Sequence, residues 1–403
     1  MKLKHVILLF IFLSPALAIG QPKVFLNAWA EAELSHASEV SDFYFNEISR
    51  NHTGWSARMN NINALVTTKI NSKFSVNLRA QIDRESGDVF NQVTLPLLNV
   101  KYKNSKKDFS LSLGRFITPF GAFSSMQHPK ERTFINLPLS YSYYINVSSA
   151  IGFNNMIGQD SFLINDNIDW GSTMIYYGAY SDGLLLDWNI KPDKVNLQFA
   201  ITNHAPNIFN RNKIRLRNYG LSSRIKLQPK YFWEQGFSIS HGSFFNKMYG
   251  DVEFDDLGLA QTLVGTDFKL GFGFWELTGE LMAGFYSVPE FSFPEMQVSQ
   301  DNVSLNSYAG YLNLKYEVPL LSGLYVAYGI DFISFSPFEI PGMTDSKNWD
   351  ENTHRHQFGL GYKITDFLLL RSNLAIQPFR DRSVPDYEDK NLNTWRTSIT
   401  VFL

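Results

Sequence analysis

Two side chains on one predicted strand could carry out hydrolysis. His241 and Ser243 are two positions apart, and residues at i and i+2 of a strand point to the same face. An imidazole next to a hydroxyl can act as the general base that activates a serine nucleophile. A His and a Ser at this spacing also occur together by chance, so the pair makes an enzyme an alternative hypothesis and not the main one.

Metal and cofactor chemistry receives less support. His354 and His356 also share one strand face, but two ligands without a third do not make a zinc site. The chain contains no cysteine, which excludes cysteine-based zinc sites, iron–sulfur clusters and disulfides. We therefore predict no metal and no cofactor, and we expect the two histidines to lie near a membrane interface.

The largest group of candidate residues carries charge on the polar faces of predicted strands. If those faces line a pore, rings of charge of one sign set its ion preference. Here both signs occur, which predicts a field across the pore and a modest anion preference; pairing between the charges is the alternative for any one residue. The candidates for a lumen-facing position are Asp83, Arg224, Lys226, Lys315, Glu317, Asp331, Lys363, Arg371 and Arg396.

Period-two alternation defines the elements that must position these side chains. In residues 308–318 the apolar Leu312 and Leu314 alternate with Asn313 and Lys315, and the same pattern recurs in many segments, as expected for strands with one apolar and one polar face. The connections alternate between very short ones (71–73, 191–193, 320–323, 365–366) and long polar ones (35–58, 203–213, 247–258, 288–303, 336–353, 378–392). Aromatic residues mark many strand ends: Tyr102, Trp170, Trp188, Trp233, Trp275, Tyr286 and Trp395.

These patterns together predict an all-β fold, a closed transmembrane antiparallel β-barrel of about sixteen to eighteen strands. A wet lumen also tolerates the paired charges that a sandwich core would not. The composition agrees, because 15% aromatic residues, a mean hydropathy of −0.17 and a net charge of −2 fit strands that are half in lipid and half in water. The mean hydropathy argues against a bundle of membrane-spanning helices, the hydrophobic content excludes a disordered chain, and the balanced charge argues against nucleic acid as a partner.

The N-terminus predicts export. Lys2 and Lys4 precede the apolar run Val6–Leu13 and an Ala16-Leu17-Ala18 pattern, which is typical of a cleaved signal peptide. We therefore predict a signal peptide at 1–18 and a single barrel over 19–403 in the outer membrane of a Gram-negative bacterium, in contact with its lipid. The last strand, in which Trp395, Thr397, Ile399, Val401 and Leu403 share one face, resembles the C-terminal signal read by the barrel-assembly machinery, although such signals usually end in Phe.

One segment carries a family resemblance. The motif Gly114-Arg115-Phe116-Ile117-Thr118-Pro119-Phe120-Gly121 resembles the strand end that precedes the constriction loop of the phosphate-selective porin O and P family. The resemblance covers about residues 55–140, and it implies a passive, sixteen-stranded, trimeric channel in which residues 120–150 fold inward. That loop carries only Lys130 and Arg132 beside Glu131 and no basic cluster, so phosphate specificity is not carried over.

The function predicted from these observations is passive diffusion of small hydrophilic solutes or ions through a porin, without enzymatic activity. The constriction candidates are Arg79, Arg115, Lys130 and Arg132, because they lie in or near the inward loop. The first alternative is a barrel hydrolase: His241-Gly242-Ser243 resembles the motif of outer-membrane phospholipase A, but Phe244 and Phe245 follow here where that family has Asn-Gly. The second is a plugged barrel that acts as an adhesin or structural protein, since the sequence leaves open whether the lumen is open or plugged.

Overall fold

Sixteen antiparallel strands close into one barrel in the computed structural model. The structure describes residues 22–38, 54–83, 94–126, 128–143, 145, 147–148, 152–154, 172–175, 180–206, 219–243, 248–249, 252–253, 259–292, 297–338, 347–379 and 390–403. The predicted signal peptide at 1–18 lies outside these residues. The barrel strands are β1 (Lys23–Ala37), β2 (Gly54–Lys69), β3 (Phe74–Asp83), β4 (Thr94–Asn104), β5 (Phe109–Ile117), β6 (Tyr180–Lys191), β7 (Val195–Thr202), β8 (Gly220–Lys230), β9 (Trp233–Ser243), β10 (Ala260–Phe272), β11 (Trp275–Ser292), β12 (Gln297–Glu317), β13 (Leu324–Phe335), β14 (Thr353–Thr365), β15 (Leu368–Phe379) and β16 (Lys390–Phe402).

The barrel closes where the first strand meets the last. β1 pairs with β2 over its whole length, and it pairs with β16 from Trp29 opposite Phe402 to Ala37 opposite Thr394. We call this β1–β16 junction the seam. Closure pairs the sheet edges that an open sheet would expose, and it confirms the predicted transmembrane-type antiparallel barrel and its strand number.

Alternation gives the barrel an apolar outer face. Side chains such as Leu113, Ile239, Leu281 and Phe358 are 65%, 53%, 51% and 49% exposed, while their neighbours in sequence point into the barrel. An outward apolar band around a polar interior is typical of a barrel surrounded by lipid, because exposing the same apolar side chains to water would be unfavourable. Among the described residues no helix is long and apolar enough to cross a bilayer.

The two ends of the barrel differ in their connections. The connections 70–73, 105–108, 192–194, 231–232, 273–274, 318–323 and 366–367 lie at one end, which we call the short-turn end; the opposite end is the long-loop end. Asn71 shows how a short turn closes: its side-chain oxygen accepts the backbone N–H groups of Lys73 and Phe74 at 2.8 and 2.9 Å. This side-chain mimic of a backbone turn is typical of asparagine.

Aromatic rings gather near the strand ends. At the short-turn end Phe74 packs on Tyr102 with ring centroids 5.2 Å apart, and Trp275 packs on Tyr316 at 4.5 Å. Rings in this position match the interfacial girdle of membrane barrels. Tyr286 is an exception to the expected pattern, because its side chain is buried inside the barrel; Trp170 lies outside the described residues.

One segment predicted to be a connecting loop is instead part of two paired strands. The polar segment 288–303 was expected to be a long loop, but β11 continues to Ser292 and β12 begins at Gln297. The two strands form a hairpin that continues past their neighbours, since pairing runs as far as Ser292 opposite Gln297. Polar composition predicted a loop here, but the backbone pairing shows an extended hairpin.

Candidate functional site

The chain between β5 and β6 turns into the barrel. We call residues 118–148 the inward segment; positions 127, 144 and 146 lie outside the described residues. Thr118 Oγ1 and Ser181 Oγ lie 2.8 Å apart at its start, and the backbone N–H of Gly121 donates to Ser238 Oγ on β9 at 3.0 Å. Gly121 has a φ of +64°, and a Cβ at this position would overlap the Glu280 carboxylate. Glycine therefore lets the backbone approach the wall directly.

Apolar side chains fix the inward segment to one side of the barrel interior. They form a common core with the inner faces of β10–β13, and such burial contributes about 25 cal/mol for each Å² removed from water. This side of the interior is therefore filled by packed side chains. The members include Phe120, Phe123, Leu137, Leu139, Tyr141, Tyr143, Ile145 and Val147 of the segment, and Leu263, Met282, Tyr286, Val288, Val303, Leu305, Ala309, Tyr311, Ile333 and Phe335 of the wall.

Buried carboxylates of the wall bind the same segment. Glu280 on β11 accepts the hydroxyl of Tyr141 at 2.9 Å and the backbone N–H of Phe123 at 3.3 Å. Asp331 on β13 accepts the backbone N–H of Leu139 at 3.1 Å. Burial and the nearby Glu280 raise the pKa of Tyr141 well above its usual range, so this hydroxyl remains a donor. Buried carboxylates need such partners, because an unpaired buried charge is costly.

An aromatic side chain of the inward segment occupies a hollow in the wall. The Phe134 ring lies against Gly329 on β13 and Gly359 on β14, where an added Cβ would lie 2.7 Å from ring carbons in both cases. The Phe134 side chain is only 4% exposed. Two glycines on adjacent strands thus provide the space in which the segment docks.

The tip of the inward segment, residues 128–136, reaches the short-turn half of the seam. Lys130 Nζ donates to the backbone oxygen of Asp366 at 2.7 Å and lies 3.9 Å from the centroid of the Phe402 ring. The His128 ring is stacked on Phe402 with centroids 4.9 Å apart, and it lies 4.9 Å from Trp29. The tip therefore contacts both the first and the last strand.

His128 also caps the short helical turn Pro129–Glu131. Its Nδ1 accepts the backbone N–H of Lys130 at 3.3 Å, and Glu131 Oε2 accepts the backbone N–H of His128 at 3.2 Å. Partial burial and surrounding cations lower the pKa of His128 to about 4. The cations are Lys130, Arg132, Arg79 and Arg371. At neutral pH the ring is uncharged and free to accept.

Three of the four predicted constriction residues lie around this tip. Arg132 Nη2 lies 3.7 Å from Glu31 Oε2, and Lys130 has the contacts given above. Arg79 on β3 donates to Asn63 Oδ1 at 2.8 Å and to the Tyr180 hydroxyl at 2.9 Å, with its guanidinium 5.1 Å from the centroid of the Trp29 ring. Arg79 and Arg132 thus contact Trp29 and Glu31 of β1, whereas Lys130 contacts the last strand.

Arg115 forms an ion pair within the wall. Its Nε and Nη2 donate to the two carboxylate oxygens of Asp182 on β6 at 2.9 and 2.8 Å, and Nη1 donates to the backbone oxygen of Leu95 at 3.4 Å. The two side chains are 24% and 23% exposed. Gly114 next to it has a φ of +120°, but the pairing of β5 with β4 and β6 continues through it without a register shift, so Arg115 keeps the strand parity of the exposed Leu113.

The other charged candidates whose side chains the structure describes take part in ion pairs within the barrel. Among the shortest are Arg224 to Asp267 at 2.7 Å, Arg355 to Asp331 at 2.5 Å, and Arg396 to Glu33 at 2.6 Å. The remaining pairs are Arg371 with Glu31, Lys226 with Glu234, Lys315 with Glu276 and Glu317, and Lys363 with Asp366. Asp83 lies on β3 opposite Asn61, and the position of its side chain is outside what the structure describes.

The wall formed by β2, β3 and β4 carries inward lysines that sequence reasoning missed. Lys69, Ser75 and Lys101 lie side by side across these strands, and Lys103 is the next inward residue of β4. Among the described residues these three lysines form no ion pair. The signal was present, because Leu98, Val100 and Tyr102 alternate with Asn99, Lys101 and Lys103, but that strand was not recognised.

Neutral polar groups continue this wall away from the lysines. Thr67 Oγ1 donates to Asn77 Oδ1 at 3.0 Å, and Asn77 Nδ2 donates to Asn99 Oδ1 at 3.0 Å. The next inward residues on β3 and β4 are Arg79 and Leu97, which face each other. The β2–β4 wall therefore offers hydrogen-bond donors and acceptors together with positive charge.

The residues proposed for other chemistry do not form a site. His241 is exposed on the outer face, with Nδ1 2.8 Å from Thr262 Oγ1, while the buried hydroxyl of Ser243 has no hydrogen-bond partner among the described residues. His354 and His356 have ring centroids 5.6 Å apart, and His356 Nδ1 lies 2.8 Å from the Tyr328 hydroxyl. The described part of the chain contains no group of three potential metal ligands.

Solved structures with this architecture are known. The anion-selective porin from Comamonas acidovorans superposes with a TM-score of 0.59 at 11% identity, covering 95% of this chain and 100% of that one. The chain has the porin fold. The DcaP channel of Acinetobacter baumannii shares the porin fold with a TM-score of 0.58 at 10% identity, over 95% and 97% of the two chains, as does OprB of Pseudomonas putida with 0.53 at 12%, over 97% and 96%.

No protein-family model matches the chain, and no curated protein matches it either. At such low identity the solved structures share the porin fold and nothing finer with this chain. The narrower resemblance to the phosphate-selective porin O and P family stays a prediction.

Proposed function

We propose that the protein is an outer-membrane porin, a passive channel for small hydrophilic solutes and ions. The observation that carries this proposal is the combination of an apolar outer face with an interior in which the inward segment packs against β10–β16 and the β2–β4 wall remains polar. The inward segment then acts as the constriction, with Arg79, Lys130 and Arg132 at its tip and Arg115 in the wall.

We further propose a modest preference for anions. Among the side chains of β2, β3 and β4 that the structure describes, the inward-facing charges are Lys69, Lys101, Lys103 and Arg79. Fixed positive charge near a narrow aqueous path raises the local concentration of anions. The buried ion pairs beneath the inward segment contribute less, because each cation there already has a carboxylate partner.

Planar-bilayer recording tests both statements. The purified protein is expected to give stepwise conductance, and a protein that remains silent would refute the channel. Replacing Lys69, Lys101 and Lys103 together by Gln is expected to shift the reversal potential in a salt gradient toward that of a cation-selective pore. The matched control replaces Lys106 and Lys107, which lie in the exposed turn 105–108, and should leave the reversal potential unchanged. An unchanged value in the triple variant would refute the anion preference and leave the channel intact.

The hydrolase alternative is not favoured by the geometry. A serine nucleophile needs its base within hydrogen-bond reach, whereas His241 bonds to Thr262 and the Ser243 hydroxyl lacks a partner among the described residues. A Ser243→Ala variant is expected to behave as the wild type in assays of lipid cleavage. The plugged-barrel alternative is separated from the porin by the same bilayer recordings.

We propose a Gram-negative outer-membrane location, reached by export with a signal peptide at 1–18 and insertion by the barrel-assembly machinery. N-terminal sequencing of the membrane-bound protein should begin after residue 18. A homotrimer is also proposed: one protein with the same fold, the OmpT outer-membrane protein of Vibrio cholerae, is described in a trimer form. Light scattering of the detergent complex would distinguish one copy from three.

A further inference from the structure

Two buried glutamates of β1 bridge the seam from inside the barrel. Glu33 accepts two hydrogen bonds from Arg396 on β16, at 2.8 and 2.6 Å. Glu31 accepts from Arg371 on β15 at 3.0 Å, and both of these side chains are fully buried. Each ion pair therefore connects the first strand to one of the last two.

The tip of the inward segment joins both ion pairs. Arg132 is the second cation near Glu31, at 3.7 Å, and Arg396 uses its remaining Nη1 to donate to Asn136 Oδ1 at 2.7 Å. Arg371 donates to the backbone oxygens of Pro129 and Phe134, at 3.3 Å each. The two arginines of the last strands thus hold a glutamate of β1 and the tip at the same time.

Aromatic contacts repeat the same arrangement. Trp29 on β1 and Phe402 on β16 are opposite each other in the seam. The His128 ring lies 4.9 Å from each of these rings, and Lys130 Nζ lies 3.9 Å from the centroid of the Phe402 ring. The tip is therefore in contact with residues of both strands that close the barrel.

We infer that the tip is latched to the seam, with Glu31 and Glu33 as positioning residues that set where the constriction lies. The physical reason is that the buried glutamates and the buried arginines each need the opposite charge of the other. Without the arginines the two buried glutamates would lose their shortest cationic partners, and without the glutamates the arginines that donate to the tip would be buried charges lacking their carboxylates. This inference concerns the place of the segment, and it holds whether or not the barrel conducts.

Thiol reactivity can test the latch, since the chain has no cysteine of its own. Ile135 in the tip and Leu139 in the helical turn Leu139–Ser142 are 4% and 2% exposed, so a cysteine at either place should be protected from a water-soluble maleimide. Loss of a hydrogen bond to a charged group shifts a local opening equilibrium by about tenfold or more. In the background of Glu33→Gln, Ile135→Cys is expected to react about tenfold faster, while Leu139→Cys stays protected.

Two further variants keep the result interpretable. Asp182→Asn removes an ion pair of similar geometry from the β5–β6 wall and should leave Ile135→Cys protected. The exchange Glu33→Arg with Arg396→Glu restores the pair across the seam but removes the donor for Asn136 Oδ1, so the barrel should fold while Ile135→Cys reacts faster. Protection of Ile135→Cys in both Glu33 variants would overturn the latch. So would equal exposure of Leu139→Cys, which would mean general loosening instead of release of the tip.

Discussion

At the scale of single residues, His128 couples the tip to pH. Its pKa is lowered to about 4 by partial burial and by nearby cations, so the docked tip binds fewer protons at this site than a released tip, whose histidine would titrate near 6.5. Docking is therefore most stable above pH 6.5 and weakens as the pH falls toward 4. Protonation would also remove the acceptor for the backbone N–H of Lys130.

Single-channel recordings between pH 6.5 and 4 measure this effect. We expect the noise of the open-channel current to increase as the pH falls. His128→Asn should remove the pH dependence, because asparagine can accept the same hydrogen bond at a helix start and does not titrate. A variant that kept the wild-type pH response would assign the effect to another group.

At the scale of elements, the inward segment depends on the shape of the wall. Gly359→Val would place side-chain atoms where the Phe134 ring now lies, so the ring must leave its hollow. Phe134→Ala would instead leave the hollow empty, at a cost of about 3 kcal/mol for a buried phenylalanine. Both variants are expected to lower the mean conductance, since a segment that withdraws from β13 and β14 moves toward the β2–β4 wall and narrows the remaining path.

A glycine elsewhere in the barrel provides a matched control for Gly359→Val. A Cβ at Gly271 on β10 would meet nothing closer than 4.0 Å, so Gly271→Ala should leave the conductance unchanged. If Gly359→Val and Gly271→Ala gave the same conductance as the wild type, the hollow would have no part in positioning the segment.

At the scale of the whole molecule, stability depends on which face of a strand changes. Ile239 lies near the middle of β9 and is 53% exposed on the outer face. Ile239→Arg is expected to lower the free energy of unfolding in lipid by about 2–4 kcal/mol. Thr67→Arg on the inner face of β2 should cost less, because that side chain reaches water. Equilibrium unfolding in urea from lipid vesicles measures both, and equal losses would contradict the assignment of the two faces.

The sequence by itself determined the class of fold. Alternation of apolar and polar residues is local, since each side chain's face depends only on its position along the strand. Residues such as Leu312 and Asn313 therefore predicted the barrel, its two faces and the short turns. The same local logic could have revealed Lys101 and Lys103, had the strand that carries them been recognised.

Only the tertiary structure decided what the charges do. Arg371 and Glu31 are 340 positions apart in sequence, and nothing local indicates that closure of the barrel brings them together. Glu31 and Glu33 were not among the predicted site residues, because nothing in the local sequence of β1 distinguishes them from other charged residues on the polar face of a strand. Their role follows from closure of the barrel, which places the first strand beside the last and allows the tip of a distant segment to contact both.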